Sequence, residues 1–198
     1  MKARFTWLSE LPAERWPQLV ALYNEVIATE DILGYQQALS AAEGAAIAEG
    51  LARSIREGSV EFLAIDDDAT GRLIGMALLG SNKLPNCAHR AELSKGIIAP
   101  AYRGHGVMEL ALLSIAEHCI ERQIDLIHID VRQNSRSHRL WAKVGFQQYG
   151  ILEDYARTAK GRFAGVYMFI ESRTLLRSMV DRQREKSDRK IVAEESQT

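Results

Sequence analysis

A short glycine-containing turn between two apolar segments constrains the fold of this chain more than any other feature. Leu93 to Ala99 is an apolar run typical of a strand, Pro100 to Met108 carries glycines at positions 104 and 106, and residues 109–122 form an amphipathic stretch typical of a helix. Glycine lets the backbone approach a ligand closely, and the first turn of a helix leaves N–H groups without internal acceptors. Because the helix dipole also favours negative charge there, the pattern predicts a strand–turn–helix unit that can hold phosphate oxygens.

Two common nucleotide-binding motifs explain this turn poorly. A dinucleotide fingerprint requires a third glycine where this chain has Glu109, and the turn lies in mid-chain rather than at the start of a strand–helix–strand unit. The Gly-Lys-Ser/Thr signature of a nucleotide-triphosphate loop does not occur in the sequence. A structural turn that binds no ligand is the remaining alternative, and the turn alone does not exclude it.

The composition is typical of a single globular domain. With 198 residues the chain is long enough for a full hydrophobic core, and its net charge of −1 offers no general attraction for nucleic acid or an anionic membrane. No apolar run is long enough to span a bilayer, and the first residues lack the apolar core of a signal peptide. Cys87 and Cys119 have no metal-binding or redox spacing. We therefore expect a cytoplasmic protein that binds no nucleic acid, membrane or metal and uses both thiols for packing.

Hydrophobic periodicity predicts about seven strands, four long helices and a separate C-terminal tail. The strands are expected over residues 2–9, 60–65, 73–79, 89–99, 126–131, 146–157 and 163–171, and the helices over residues 12–29, 40–57, 104–122 and 134–144. Hairpins combined with two strand–helix–strand crossovers indicate a three-layer α/β domain with a mixed, mostly antiparallel sheet flanked by helices. We expect this single domain to span residues 1–172. The charged tail, 173–198, is predicted to form a short helix and to be frayed or disordered beyond Asp181.

Two segments of the sequence resemble motifs of one enzyme family. Arg103-Gly-His-Gly-Val-Met108, which follows a strand ending in Ile-Ile-Ala-Pro100, resembles the acetyl-coenzyme A (acetyl-CoA) pyrophosphate loop of the GNAT superfamily of N-acetyltransferases, Arg/Gln-x-x-Gly-x-Gly/Ala. Met108 departs from that motif, because the superfamily has a small residue at the last position. Asn134 followed by Leu140-Trp-Ala-Lys-Val-Gly-Phe146 is similar to the superfamily's Asn…Leu-Tyr-x-Lys-x-Gly-Phe segment. The resemblance covers residues 40–171.

A narrower resemblance concerns the strand before the loop. Arg90-Ala-Glu-Leu-Ser-Lys95, together with the loop that follows, looks most like the tabtoxin-resistance-type acetyltransferases. Those proteins also carry an acidic residue late in the next strand, which here is Asp130.

The resemblance implies a GNAT-like fold, acetyl-CoA as co-substrate and a set of CoA-binding residues. Main-chain N–H groups around the two glycines are expected to hold the pyrophosphate, and the end of the preceding strand to pair with the pantetheine amides and polarise the thioester. For the charged side chains of Arg103 and His105, ordinary surface charge is the alternative to phosphate binding. The residues assigned to CoA on this basis are Ile97, Ile98, Ala99, Arg103, Gly104, His105, Gly106, Val107, Met108, Asn134 and Trp141.

Acetyl transfer to an amine also requires a base. A free alkyl ammonium has a pKa near ~10.4, so its proton has to be removed before the nitrogen can attack. Glu92 and Asp130 are the candidate bases, because the fold would place their strands side by side at the cleft. A salt bridge from Glu92 to Arg90 or Lys95 is an equally good interpretation, as is a capping role for Asp130. His128 shares the face of Asp130 and is interpreted as a packing histidine.

The leaving thiolate needs a proton donor. Many superfamily members have a tyrosine where this chain has Trp141, and an indole cannot serve as that acid. Tyr149 and Tyr155 are the available phenols on the following strand, and Tyr155 is the catalytic candidate. An ordinary role in an amphipathic strand is the alternative for each of them.

The sequence therefore predicts an acetyl-CoA-dependent N-acetyltransferase that acts by direct transfer in a ternary complex on a small amine or amino-acid-like acceptor. The loop Glu30–Leu39 and the strands from Phe146 onward are expected to line the acceptor pocket. Acidic residues expected there, which would suit a cationic acceptor, are Glu30, Asp31, Glu153 and Asp154.

Two other functions stay open at this point. A catalytically weak acyl-CoA-binding sensor would fit the substitutions Met108 and Trp141, and a protein N-terminal or lysine acetyltransferase would need an open groove. A homodimer through the edge of the last strand and the 175–180 stripe is plausible.

Overall fold

The structure, a computed structural model, describes residues 2–31 and 33–195, with side chains up to residue 188. Within these residues the strands are β1 (Ala3–Leu8), β2 (Val60–Asp67), β3 (Leu73–Ser81), β4 (Arg90–Ile98), β5 (Leu126–Arg132), β6 (Gln147–Thr158) and β7 (Gly161–Glu171). The α-helices are α1 (Trp16–Ile27), α2 (Ala41–Arg56), α3 (Val107–Glu121), α4 (Arg136–Val144) and α5 (Ser172–Glu195). The predicted order of strands and helices is confirmed.

The strands form one open sheet in the order β1-β2-β3-β4-β5-β7-β6. Every neighbouring pair is antiparallel except β4 and β5, which run parallel. These two strands pair only from Arg90 opposite Leu126 to Glu92 opposite His128. The predicted fold class, a mixed and mostly antiparallel sheet between helices, is confirmed, and the short β4–β5 pairing leaves a gap in mid-sheet.

A bulge in β4 lies beside this gap. Ser94 and Ile97 pair with β3 residues that are only two positions apart, so Lys95 and Gly96 stand opposite a single residue. Lys95 has a left-handed backbone conformation, with φ 49°. On β3, Gly75 permits the close approach of the strands, because a Cβ there would lie 2.9 Å from the carbonyl oxygen of Ile97. A bulge bends and twists its strand, which accounts for the separation of β4 from β5.

Helices pack on both faces of the sheet. The first face carries α1 and α2, which bury Leu19 and Phe62 in one apolar cluster. The second face carries α3 and α5, whose cluster includes Leu112, Cys119 and Ile127. Burial raises the pKa of the Cys119 thiol to about 12, so this thiol is a packing residue rather than a nucleophile.

An aromatic and ionic contact fixes α3 to the first strands. The rings of Trp7 and His118 are stacked with centroids 3.8 Å apart, and the Trp7 indole donates to Ser114 Oγ at 3.3 Å. The other edge of His118 meets Glu61 of β2, with Nε2 2.5 Å from Oε2. These contacts anchor the middle of α3 and so help to define where its N-terminus lies.

The last helix is longer than the sequence predicted. α5 continues past Asp181, where fraying or disorder was expected, and buries Leu175 and Met179 against the sheet. Its polar second half lies along α3: Lys186 Nζ is 3.0 Å from Glu109 Oε1. The division into a domain of residues 1–172 and a tail stays a prediction. None of the helices described is both long and apolar enough to cross a membrane.

Candidate active site

The glycine turn opens α3 in the predicted manner. Gly106 is the N-cap residue, with φ 81°, and Gly104 has φ 79°. A side chain at either position would be strained in this left-handed conformation. Among the described residues, the N–H groups of Gly104, Gly106 and Met108 have no acceptor. The loop therefore presents unpaired donors at the positive end of a helix, as an anion site requires.

Two side chains hold this loop in place. The Tyr102 hydroxyl donates to Asp67 Oδ2 at 2.9 Å. Arg103 donates from Nε to the Ile98 carbonyl at 2.9 Å and from Nη1 to Glu30 Oε1 at 2.8 Å. Arg103 therefore ties the loop to the end of β4 and to the segment after α1, and its guanidinium is already paired.

A cavity of about 350 Å³ extends from the loop along the part of β4 that lies beyond its pairing with β5. Its walls are the end of β4, the first turns of α3, and one face of α4 formed by Ser137, Leu140 and Trp141. The CoA-binding candidates that line it are Ile97, Ile98, Arg103, Gly104, Gly106, Val107, Met108 and Trp141. A mostly apolar cavity that ends at unpaired N–H groups suits a pantetheine arm joined to a pyrophosphate.

Three CoA-binding candidates lie outside this cavity. Ala99 is buried, and both of its backbone groups are paired: its N–H donates to Ile74 O at 2.8 Å and its carbonyl accepts from Tyr102 N at 2.9 Å. No backbone group of Ala99 is left for a ligand. His105 is exposed, and Asn134 is an exposed turn residue with φ 58°.

A second cavity, of about 410 Å³, brings the two candidate bases together. Glu92 on β4 and Asp130 on β5 both line it, with Arg90, His128 and residues of β3, β6 and β7. Leu93, the neighbour of Glu92, lines the first cavity. Successive side chains of a strand point to opposite faces, so the two cavities lie on the two sides of the sheet next to the gap.

Glu92 has a free carboxylate. The side chain is exposed, and neither Arg90 nor Lys95 pairs with it; within the described part of the chain the carboxylate has no hydrogen-bond or ion-pair partner. Lys95 instead donates to the Leu33 carbonyl at 3.4 Å. The alternative interpretation of Glu92 as half of a salt bridge is therefore wrong.

Asp130 is paired with the candidate acid. The Tyr155 hydroxyl donates to Asp130 Oδ2. Burial, and then this hydrogen bond, raise the pKa of Tyr155 far above its usual value, so the phenol is protonated at neutral pH. Helix capping is not the role of Asp130, because Ser135 Oγ caps α4 by accepting from the N–H of His138.

An irregular strand and a glycine place the Tyr155 ring. The pairing of β6 with β7 slips between Leu152 and Ala156, so Tyr155 lies in a bulge. Its ring lies directly against Gly165 of β7, where an added Cβ would meet Tyr155 Cγ at 2.2 Å. Gly165 therefore provides the space through which Tyr155 reaches Asp130.

His128 is partly buried at the floor of the second cavity. Its Nδ1 is 3.4 Å from the Tyr149 hydroxyl, and its buried Nε2 has no partner among the described residues. Burial and the nearby charge of Arg90 lower the pKa of His128, which favours the neutral imidazole.

The acids after α1 do not form a cation-binding surface. Glu30 pairs with Arg103, and it lines the first cavity rather than the second. Asp31 pairs with Arg132 at 3.1 Å, which lowers the pKa of the Asp31 carboxyl. On β6, Asp154 pairs with an arginine of the same strand. These carboxylates are neutralised by arginines, so the predicted attraction for a cationic acceptor is largely cancelled.

Sequence reasoning missed several residues that line the cavities. Ser137 lies with Leu140 and Trp141 on one face of α4, and this i, i+3, i+4 spacing was readable from the sequence. Lys186 of α5 also lines the first cavity, but the polar half of α5 carries no apolar stripe that would have predicted its docking.

Solved structures share this architecture. A spermidine N-acetyltransferase chimera from Vibrio cholerae and hSSAT matches with a TM-score of 0.70 and 18% identity, covering 89% of this chain and 99% of that one. A ribosomal-protein-alanine N-acetyltransferase from Brucella melitensis matches with a TM-score of 0.67 and 20% identity, covering 86% and 99%. A putative phosphinothricin N-acetyltransferase matches with a TM-score of 0.69 and 18% identity, covering 86% and 99%. At these identities the likeness establishes the fold alone.

The family itself is identified by sequence. Residues 18–146, more than half of the chain, match the model of the acetyltransferase (GNAT) family. The matched segment contains β4, the glycine loop, α3 and α4, which supply most of the residues that line the first cavity. The chain therefore belongs to the GNAT acetyltransferase family.

Proposed function

We propose that this protein is an acetyl-CoA-dependent N-acetyltransferase that transfers the acetyl group directly to a small amine or amino-acid-like acceptor in a ternary complex. One observation carries the proposal: neighbouring residues of β4, Leu93 and Glu92, line two cavities on opposite sides of the sheet at the point where β4 stops pairing with β5. One of them ends at unpaired N–H groups, and the other holds two carboxylates. The narrower likeness to tabtoxin-resistance-type enzymes and a cytoplasmic location stay predictions.

The first cavity is the proposed CoA site. The N–H groups of Gly104, Gly106 and Met108 would hold the pyrophosphate, and the backbone of Ile97 and Ile98 would pair with the pantetheine amides. The bound co-substrate supplies the thioester whose acetyl group is transferred. A β4 N–H beside the bulge would donate to the thioester oxygen as negative charge develops there.

Cationic side chains at the mouth of this cavity are proposed to bind the CoA phosphates. Lys186 and Arg136 line the cavity and are 58% and 80% exposed. Lys186 Nζ is 4.0 Å from the Cβ position of Gly106, so it stands directly over the loop. Arg103 would act mainly by holding the loop in place, because its guanidinium already forms an ion pair with Glu30.

The second cavity is the proposed acceptor site. Glu92 is the better base, because its carboxylate is free to accept a proton from the acceptor ammonium, directly or through a water molecule. Asp130 is engaged by Tyr155 and would orient that phenol. Tyr155 stays protonated at neutral pH, which excludes it as the base. Its raised pKa makes the phenol a weak acid and it lines neither cavity, so the assignment of Tyr155 as proton donor to the leaving thiolate stays a prediction.

Thiol release from acetyl-CoA across a panel of amines tests this proposal. Glu92→Gln should lower kcat by about 100-fold or more, as expected for loss of a general base. Glu117→Gln is the matched control, since Glu117 is exposed on α3 away from both cavities, and it should stay within about twofold of wild type. Wild-type rates in both Glu92→Gln and Asp130→Asn would remove the base assignment.

An acyl-CoA sensor is the second candidate, and the position of Trp141 favours it. The indole lines the first cavity, where a phenol would be the expected proton donor. Saturable CoA binding without transfer to any amine, peptide or lysine would support the sensor. Transfer to peptides alone would support a protein acetyltransferase.

A further inference from the structure

Arg90 is an unpaired cation in the wall of the second cavity. Its Nε is buried and has no acceptor, and the guanidinium pairs with no carboxylate among the described residues. The absence of pairing is informative because Glu92 lies two residues along the same strand face. Other arginines near the site are paired, as Arg103 is with Glu30 and Arg132 with Asp31.

The second cavity is polarised along β4. Arg90 lies at the end where β4 begins, and its charge contributes to the lowered pKa of His128 across the strand pair. Glu92 and Asp130 lie toward the gap, where the thioester would be. The cavity therefore has a positive end and a negative end.

The Arg90 guanidinium lines the cavity without an ion-pair partner among the described residues, so it is available to bind an anionic group of a ligand there. We infer that Arg90 binds the carboxylate of the acceptor, so that the acceptor class is an amine that also carries a carboxylate, as an amino acid does. This inference rests on the proposed acetyltransferase function and adds to it the chemical class of the acceptor.

The strand geometry fits such a ligand. The Cα atoms of residues two apart on one strand face are about 6.6 Å apart. An arginine side chain and a free amino acid placed end to end are long enough to cover that distance. The amine then lies at Glu92 beside the gap, and the carboxylate receives a forked pair of hydrogen bonds from Arg90. Tyr149 and Tyr167 also line the cavity, and their rings would pack against the rest of the acceptor.

The test uses acceptors in matched sets of three: each amino acid, its amide and the amine formed by its decarboxylation. All three members carry the same side chain, and only the first has a free carboxylate. Acetyl transfer is measured as kcat/KM for wild type, Arg90→Gln, Arg90→Lys and the control Arg4→Gln, an exposed arginine on the distant strand β1. CoA binding by calorimetry is measured for every variant.

Wild type should favour the best amino acid over its decarboxylated amine by about 10-fold or more. Arg90→Gln should lower kcat/KM for that amino acid by about 10- to 100-fold, as for loss of a charge-assisted hydrogen bond, and change the amine reaction by less than twofold. Arg90→Lys should retain part of the preference, because it keeps the charge without the fork. CoA affinity should be unchanged in all variants.

Several outcomes would overturn the inference. Equal use of amine and amino acid by wild type would do so, as would an equal loss for both in Arg90→Gln. Preference for the amide would assign the site to a peptide N-terminus and also reject the inference. In each of these cases acetyl transfer itself is observed, so the proposed function stands. If wild type acetylated no member of any set, both the inference and the proposed function would fall.

Discussion

Replacing Gly165 with alanine should displace the Tyr155 ring, although Gly165 itself lines neither cavity. An added Cβ would lie 2.2 Å from Tyr155 Cγ, 2.4 Å from Cδ2 and 2.7 Å from Cβ. Carbon atoms in contact sit at about 3.5–4.0 Å, so the ring has to retreat by more than about 1 Å. The crowded atoms are at the root of the side chain, so a rotamer change cannot relieve the overlap and β6 itself has to shift.

The expected cost can be estimated from two contributions. Overpacking of this kind costs about 1–3 kcal/mol, and loss of a hydrogen bond to a carboxylate costs about 1.5–3 kcal/mol. Because these contributions overlap, we expect the free energy of unfolding to fall by about 3 kcal/mol. For a chain of 198 residues this corresponds to a Tm lower by about 6–12 °C. If the Tyr155–Asp130 pair serves the reaction, kcat should fall by the same factor as in Tyr155→Phe.

Urea denaturation of a double-mutant cycle separates this explanation from a general intolerance of alanine. In a Tyr155→Ala background the ring is gone, so Gly165→Ala should cost less than about 0.5 kcal/mol. Gly150→Ala on the neighbouring strand β6 is the control, because its Cβ would be an ordinary 3.8 Å from Tyr167. A Gly165→Ala variant as stable as wild type, or a cost that persists in full without the Tyr155 ring, would contradict the predicted clash.

Three further predictions address the CoA site, the pH dependence of stability and the proton donor. Lys186→Gln should weaken CoA binding by about three- to tenfold in calorimetry, whereas Glu109→Gln should strengthen it by freeing Lys186, and equal affinities in both would contradict the assignment. The hydrogen bond from His118 lowers the pKa of Glu61, so its stabilisation is present above the ordinary glutamate pKa and is lost as the pH falls through the lowered value. Glu61→Gln should therefore flatten the loss of stability below about pH 4.5 in urea titrations, and an unchanged acid profile would refute this. Trp141→Tyr should raise kcat if protonation of the thiolate limits turnover, and a lower kcat would argue that the indole is needed for packing.

Much of the fold was predictable because it depends on local patterns. Strand and helix periodicity gave the order of elements, and the glycine turn gave the start of α3, since left-handed backbone at Gly104 and Gly106 is a local property. The mixed sheet was predictable because the sequence pattern combines hairpins with strand–helix–strand crossovers. The extent of α5 was not predictable in this way, because its second half is held by ion pairs such as Lys186–Glu109 rather than by an apolar stripe.

The partners of the charged residues were not predictable. Arg103 and Glu30 are far apart in sequence, and nothing local indicates that they pair rather than bind ligands. The Tyr155–Asp130 contact depends on a strand bulge and on Gly165, neither of which has a sequence signature strong enough to fix a rotamer. Sequence reasoning placed Glu92 and Asp130 on neighbouring strands, as the structure does, but the pairing of individual side chains needed the structure.

Titration calorimetry with acetyl-CoA tests the central claim most directly. If the first cavity receives the pantetheine arm and the loop at Gly104 and Gly106 binds the pyrophosphate, one molecule should bind per chain with a Kd in the micromolar range, about −8 kcal/mol. Dephosphorylated pantetheine should bind far more weakly, because it lacks the anion that the loop holds. The absence of saturable binding at millimolar acetyl-CoA would contradict the account.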